Sequence, residues 1–248
     1  MNPNIHLSDG SQNCRANKFQ NPTILVIGIL VFVALGCQFS LPGEATPDTG
    51  QGVGKTQPIT PVARPLASGV AAGNPNARVR IDVYEDFQCP ACRQYTLQTE
   101  SQLMAKEIAE GKAYYVFHSF LIIDHATWSS EQKESHQAAN AAMCAADQNR
   151  FWDYHDILFD NWTGENVGDF TDARLLAFAR QIKLDMPRFT TCFNSNQFKN
   201  KIDADITAAQ GLGVDGTPSV FVNGKQVSPG YIPSYYDINY AIDQATPK

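Results

Sequence analysis

Residues 79–111 decide the fold, and they read VRIDVYEDFQCPACRQYTLQTESQLMAKEIAEG. Apolar and polar side chains alternate over the first six residues, which is the period of a β-strand. After the cysteines the apolar positions are compatible with one face of a helix, and they are Tyr95, Leu97, Leu103, Met104 and Ile108. Gly111 is a natural helix end. The stretch therefore predicts a strand, a short turn, and a helix that begins at the first cysteine.

The turn holds Cys89, Pro90, Ala91 and Cys92. A thiol at a helix start faces unpaired backbone N–H groups and the positive end of the helix dipole, and both favour the thiolate. We therefore assign Cys89 as the nucleophile and Cys92 as the thiol that resolves a mixed disulfide between Cys89 and a substrate. Pro90 suits the first helical turn because its missing N–H would have no partner there. The redox-active disulfide Cys89–Cys92 requires no cofactor.

The two thiols could instead be half of a zinc site or an ordinary structural disulfide. Zinc needs two further ligands, and the sequence contains no second Cys-x-x-Cys and no His pair at ligand spacing. We therefore expect no metal. Nucleic acid is not an expected partner either, since 19 Lys and Arg against 25 Asp and Glu give a net charge of -6 and no basic excess to neutralise phosphates.

An uncharged stretch near the amino end, with an apolar run at 24–37, predicts a membrane anchor or signal segment at 22–41. Arg15 and Lys18 precede this segment. The positive-inside bias then makes residues 1–21 a short cytoplasmic lead and places the rest of the chain outside the cytoplasm. We therefore expect a membrane-anchored protein whose catalytic domain is extracytoplasmic, in the periplasm or on the outer face of the cell membrane.

Three forms of the segment are left open: an uncleaved anchor, a lipoprotein and a cleaved signal. The residues Ala34-Leu35-Gly36-Cys37 resemble the lipobox of bacterial lipoproteins, in which the cysteine is lipidated. Residues 42–74 are rich in Pro, Gly and Thr and have no period that could bury a face, so they are interpreted as a flexible linker. The folded domain is accordingly expected at 75–248.

Two motifs carry a resemblance to a known family. VYEDFQCPAC at 83–92, followed by GVDGTPSVFVNGKQV at 213–227, resembles the DsbA-like extracytoplasmic branch of the thioredoxin superfamily. The resemblance implies an α/β thioredoxin fold, a central mixed sheet flanked by helices. It also implies a cis bond before Pro218, opposite the Cys-x-x-Cys turn, where the Thr217 backbone can pair with a substrate peptide. The expected active-site loop residues are Pro90, Ala91, Thr217 and Pro218.

The domain is longer than a minimal thioredoxin fold, which predicts a helical insertion at about 119–187. The segments NAAMCAADQNRFWDYHDILF (140–159) and FTTCFNSNQF (189–198) are similar to the same branch. Related proteins often oxidise such a cysteine pair, and two unpaired thiols would be a liability in an oxidising compartment. We therefore expect a structural disulfide between Cys144 and Cys192; two buried free thiols are the alternative.

The sequence departs from the superfamily at the residue that handles protons. Many members have an acidic residue six positions before the first cysteine, and here that position is Val83. Asp82, Glu85 and Asp86 lie nearby, but an alternating strand directs neighbouring residues differently. The pattern therefore assigns none of these three as the replacement.

Compartment, chemistry and resemblance together predict an extracytoplasmic thiol–disulfide oxidoreductase that oxidises cysteine pairs in exported proteins with free thiols. The resemblance implies re-oxidation by a membrane partner of the DsbB-like or vitamin-K-epoxide-reductase-like kind. Two alternatives are a disulfide reductase or isomerase with the same centre, and a non-catalytic metal-binding thiol protein.

Overall fold

The computed structural model describes residues 56–59, 61–124 and 133–246. The predicted cytoplasmic lead at 1–21, the membrane segment at 22–41 and Cys37 lie outside these residues. Among the helices of the described ranges, none is long and apolar enough to cross a membrane.

A five-stranded mixed sheet forms the centre of the domain, which confirms the predicted thioredoxin-type architecture. In spatial order the strands are β1, β3, β2, β4 and β5. Strand β2 pairs in parallel with β3 and antiparallel with β4, so it lies in the middle. The strands span Ala71–Gly73 (β1), Val79–Glu85 (β2), Ala113–Ser119 (β3), Ser219–Val222 (β4) and Lys225–Val227 (β5).

The helix after the cysteine turn consists of four consecutive pieces: α1 (Pro90–Tyr95), a π-helical turn (Thr96–Glu100), α2 (Ser101–Leu103) and a second π-helical turn (Met104–Ile108). The other helices are α3 (Glu134–Ala146), α4 (Phe151–Asp160), α5 (Asp172–Gln181), α6 (Met186–Asn194), α7 (Lys199–Gly211) and α8 (Tyr235–Ala245).

The first π-helical turn changes which residues of this helix are buried. The expectation of regular helical spacing placed Leu97 on the apolar face, and that was wrong because Leu97 is 47% exposed. Thr96 and Glu100 are buried instead. A π turn has more residues per turn than an α-helix, so it shifts the phase of the side chains that follow.

The helical insertion lies between β3 and β4, as predicted, but it extends past residue 187. Helix α6 packs against α3 and α5, so the insertion includes Asn194. A disulfide joins Cys144 on α3 to Cys192 on α6, with Cα atoms 5.9 Å apart. This bond fixes the last helix of the insertion to its first.

The folded domain begins earlier than the predicted boundary at residue 75. Strand β1 lies inside the range assigned to the linker, and it pairs with β3 of the central sheet. Further upstream, the Val62 N–H donates to Asp156, and the Arg64 side chain is 3% exposed. Val62 also packs against the hydrophobic core, but backbone and charged contacts do much of the docking, and they leave no hydrophobic period in the sequence.

Candidate active site

Cys89 lies immediately before the first turn of α1, where the backbone is extended (φ -75°, ψ 122°). The Cys89 N–H donates to the Asp86 carbonyl over 3.0 Å, and Pro90 occupies the start of the helix. The turn from β2 therefore brings the Cys89 sulfur to the helix N-terminus, where the sequence placed it. Cys92, one turn further along, has no exposed surface.

The two thiols have opposite acidities. The pKa of Cys89 is lowered to about 6, chiefly because the Cys92 thiol donates a hydrogen bond to its sulfur; burial opposes this, and backbone N–H groups at the helix start add to it. The pKa of Cys92 is raised well above its usual value, mainly by burial and also by that same bond. At pH 7 Cys89 is thus roughly 90% thiolate while Cys92 is a thiol.

The proline loop predicted to face the cysteines does so. The Thr217–Pro218 peptide bond is cis, and the Cys89 sulfur lies 3.3 Å from the Thr217 carbonyl oxygen. Only the protonated thiol can donate to that oxygen, so this contact belongs to the thiol form. A cavity of about 200 Å³ adjoins the loop and is lined in part by Ala91, Thr217, Pro218 and Tyr231.

The helical insertion holds the turn before Cys89 through buried polar contacts. The Gln88 side-chain amide donates to Asp124 and to the Ser135 hydroxyl. Asp86 accepts from that hydroxyl over 2.6 Å, and its burial raises its pKa to about 7. On the other side, the Trp162 indole N–H donates to the Gln88 carbonyl. No sequence pattern marks Gln88, Ser135 or Trp162 as site residues.

The structure distinguishes the three acidic residues near Val83. Asp82 is on the opposite face of β2 and bonds to His118 over 2.7 Å. Glu85 is two residues after Val83, so in a strand it shares that residue's face, and it is fully buried. Burial raises the pKa of Glu85 well above its usual value, with further contributions from Glu100 and Cys89. Glu85 also contributes to the raised pKa of Cys92, so it is the carboxyl group on the resolving-thiol side.

A helix-start thiolate, a buried second thiol and a cis-proline loop on a mixed sheet define a thiol–disulfide oxidoreductase. The family model described as thioredoxin matches residues 67–243, and the chain belongs to this family. It is 29% identical over 161 residues to the probable disulfide bond formation protein D of Bacillus cereus, and this alignment covers 64% of this chain and 72% of that protein.

Solved structures show the same fold. Oxidised BdbD from Bacillus subtilis superposes with a TM-score of 0.62 at 19% identity, over 76% of this chain and 98% of that one. A thioredoxin-like oxidoreductase from Silicibacter pomeroyi superposes with a TM-score of 0.57 at 25% identity, over 71% and 90% of the two chains. The similarity to the disulfide bond formation protein confirms the predicted thiol–disulfide oxidoreductase, and the solved structures confirm its thioredoxin-type fold.

Proposed function

We propose that this protein donates the Cys89–Cys92 disulfide to cysteine pairs of exported proteins outside the cytoplasm. The observation that carries the direction of electron flow is the pKa of Cys89, lowered to about 6. A stabilised thiolate favours the reduced enzyme, and a favoured reduced enzyme makes its disulfide a stronger oxidant. At pH 7 a thiol with this pKa stabilises the reduced form about tenfold, or roughly 30 mV for a two-electron couple.

Exchange proceeds in two steps. A substrate thiolate attacks the Cys89 sulfur, which breaks the Cys89–Cys92 bond, forms a mixed disulfide on Cys89 and leaves both bonding electrons on Cys92. A second substrate thiolate then attacks its own sulfur in that bond, so the oxidised substrate departs and Cys89 leaves as a thiolate. The low pKa of Cys89 makes it a good leaving group. The backbone of Thr217, beside the Cys89 sulfur, would pair with the extended substrate peptide.

A reductase or isomerase with the same centre is the competing function, and the reduction potential separates the two. The purified full chain would be equilibrated in glutathione buffers, with the Cys89 and Cys92 peptides quantified by mass spectrometry. We expect a value of about -180 mV or higher; a value near -270 mV would make the protein a reductase. The absence of any reversible couple would support a metal-binding role instead.

The assignment of the two thiols is tested by trapping. In Cys92→Ser, the Cys89 thiolate can attack a disulfide of an exported protein; that disulfide breaks, one substrate sulfur leaves as a thiolate, and no second enzyme thiol can resolve the mixed disulfide on Cys89. We expect exported proteins to accumulate on Cys89 of this variant in cells. Cys89→Ser should trap nothing, and trapping on Cys92 in that variant would contradict the assignment.

Each turnover leaves Cys89 and Cys92 reduced, so the cycle requires an oxidant. We propose a membrane partner of the DsbB-like or vitamin-K-epoxide-reductase-like kind, and the apolar segment at 22–41 as the anchor that keeps the domain beside it. Fractionation of cells expressing the full chain tests the anchor. Recovery in the membrane fraction, with Cys89 accessible to an impermeant alkylating reagent, is the expected result.

A further inference from the structure

Three buried hydrogen-bond acceptors meet behind the cysteine turn. Glu85, Glu100 and His155 have no exposed surface, and a carboxylate oxygen or ring nitrogen of each lies within 4.8 Å of the other two. Glu85 Oε1 and His155 Nε2 have no hydrogen-bond partner. His155 Nε2 is 3.8 Å from Glu100 Oε2. Buried polar atoms without partners are costly, so this arrangement calls for an explanation.

The hydrogen bonds of His155 show what is missing. His155 Nδ1 is 3.0 Å from Asp156 Oδ1, a carboxylate that can only accept, so Nδ1 carries a hydrogen and Nε2 of the neutral ring is an acceptor. Acceptors that face one another repel unless a positive charge lies among them. A proton on Glu85 or His155 supplies this charge and gives the orphaned atoms a donor.

A proton fits better here than a metal ion. The Arg64 guanidinium already bonds to Glu100 Oε1 over 2.5 Å and to Asp156 Oδ1 over 2.9 Å. A divalent cation beside this buried guanidinium would face strong repulsion at low effective dielectric. The Tyr115 hydroxyl also donates to Glu100 Oε2. Both oxygens of Glu100 thus have donors, and the acceptors of the cluster that lack a partner are Glu85 Oε1 and His155 Nε2.

The cluster reaches from the resolving thiol towards solvent. At its inner end, Glu85 Oε2 accepts from the Thr96 hydroxyl over 3.5 Å, and Thr96 lies one helical turn beyond Cys92. Glu85 also contributes to the raised pKa of Cys92. At its outer end, His155 bonds to Asp156, which lines a cleft of about 280 Å³ together with Val62 and Leu97. The charged and titratable groups around Glu85 are Cys89, Cys92, Tyr95 and Glu100 from the helix, Tyr115 from β3, His155 and Asp156 from α4, and Arg64.

We propose that Glu85, Glu100 and His155 form a buried proton store that serves Cys92, with Asp156 connecting the store to the cleft. The inference rests on the proposed exchange at Cys89 and Cys92. When substrate attack releases Cys92 as a thiolate, the stored proton moves to its sulfur. During re-oxidation Cys92 returns the proton, attacks Cys89 in the mixed disulfide and expels the oxidant's thiolate. The acidic residue of this chain, Glu85, is therefore two residues closer to the cysteines than the position of Val83, and it lies on the same face of the strand.

Single-turnover oxidation of the reduced full chain by oxidised glutathione tests the store. Acid quenching and mass spectrometry follow the mixed disulfide of Cys89 with glutathione and its conversion to the Cys89–Cys92 bond. Positioned proton transfer typically contributes 10²–10⁴-fold, so in Glu85→Gln the mixed disulfide should persist at least tenfold longer at pH 6.5. The difference should shrink towards pH 9 because hydroxide can then deprotonate Cys92.

Matched variants separate proton transfer from structural damage. Glu107, in the second π-helical turn, is a buried carboxyl group that accepts from Tyr235 through one oxygen while its other oxygen has no partner. Glu107→Gln therefore makes the same chemical change outside the cluster. His155→Asn retains a donor to Asp156 but loses the second ring nitrogen. Its match is His136→Asn, since His136 bonds to Asp124 over the same 3.0 Å. The two matched controls should keep the wild-type pH profile even where stability falls.

Several results would overturn the store. One is a Glu85→Gln variant that resolves the mixed disulfide as fast as wild type, and another is a Glu85→Gln variant that is slowed equally at every pH. The third is a purified wild-type protein that contains one equivalent of metal, which the Glu85→Gln substitution removes. If wild type itself formed no mixed disulfide, the proposed function would fail. If wild type exchanged normally and Glu85→Gln matched it, only the store would fail.

Discussion

The Cys92 thiol should control the acidity of Cys89 directly, because its hydrogen bond is the largest cause of the lowered pKa. A hydrogen bond to a charged group contributes about 1.5–3 kcal/mol, and 1.36 kcal/mol corresponds to one pKa unit. Replacing Cys92 by Ala removes the donor, so the pKa of Cys89 should rise by roughly 1–2 units. At pH 7 the thiolate fraction would then fall from roughly 90% to about half or less.

Cys92→Ser is the matched control, since its hydroxyl retains a donor of similar size and should keep the pKa of Cys89 near that of the wild type. The assay is the pH dependence of iodoacetamide alkylation, measured at the Cys89 peptide by mass spectrometry. The Cys144–Cys192 disulfide does not compete for the reagent. An unchanged midpoint in Cys92→Ala would show that the helix start alone stabilises the thiolate. An equal rise in both variants would point to disturbed packing rather than to the lost donor.

Three further predictions concern stability, each measured by urea unfolding of the full chain. Replacing both Cys144 and Cys192 by Ala opens a loop of 48 residues and should lower the free energy of unfolding by about 4 kcal/mol in the chain-entropy model. The reduction potential of the Cys89–Cys92 pair should stay unchanged; a shifted potential would show that the two cysteine pairs are not independent. Arg64→Ala leaves Glu100 and Asp156 buried without their cation and should cost about 3–5 kcal/mol; a loss below about 1 kcal/mol would mean that this segment does not contribute to the fold. Burial lowers the pKa of His118, but bonds with Asp205 and Asp82 outweigh it and raise the pKa overall. His118 should therefore stabilise the protein fully below about pH 6.5 and lose this effect as pH rises through the folded-state pKa. His118→Phe, which keeps the stacking on Tyr84, should remove that pH dependence, and an unaltered pH profile would contradict the assignment.

The sequence predicted those parts of the site that lie within short motifs. The strand, turn and helix around Cys89 follow from periodicity, and the place of Pro218 opposite the cysteines followed from a family resemblance. Glu85 does have a signal in the sequence: it is two residues from Val83, and in a strand that spacing means the same face. The partners of Glu85 had no such signal, because Glu100 and His155 meet it only through tertiary packing.

Arg64 illustrates the limit of pattern analysis in another way. It lies in a stretch rich in Pro, Gly and Thr, a composition typical of linkers. The segment is nevertheless part of the domain, because two buried carboxylates bind the guanidinium and the Trp152 ring lies 4.8 Å from its centre. Contacts of this kind depend on residues about 36 and 92 positions away, so no local period records them.

The unequal acidities of the two cysteines and the proton store have a common structural origin in the first helix. Two residues separate Cys89 from Cys92, which leaves one sulfur at the helix start and buries the other one turn deeper. In a regular α-helix each step of four residues rotates about 40° past a full turn, so Glu100 would drift away from the face that carries Cys92. The π-helical turn at Thr96–Glu100 rotates less per residue and offsets this drift. Irregular winding thus keeps Thr96 and Glu100 on the buried side of the resolving thiol, where Thr96 contacts Glu85. The fold thereby separates two tasks along one helix: donors at its start stabilise the thiolate that meets substrate, and carboxyl groups behind it accept the proton that the second thiol must release.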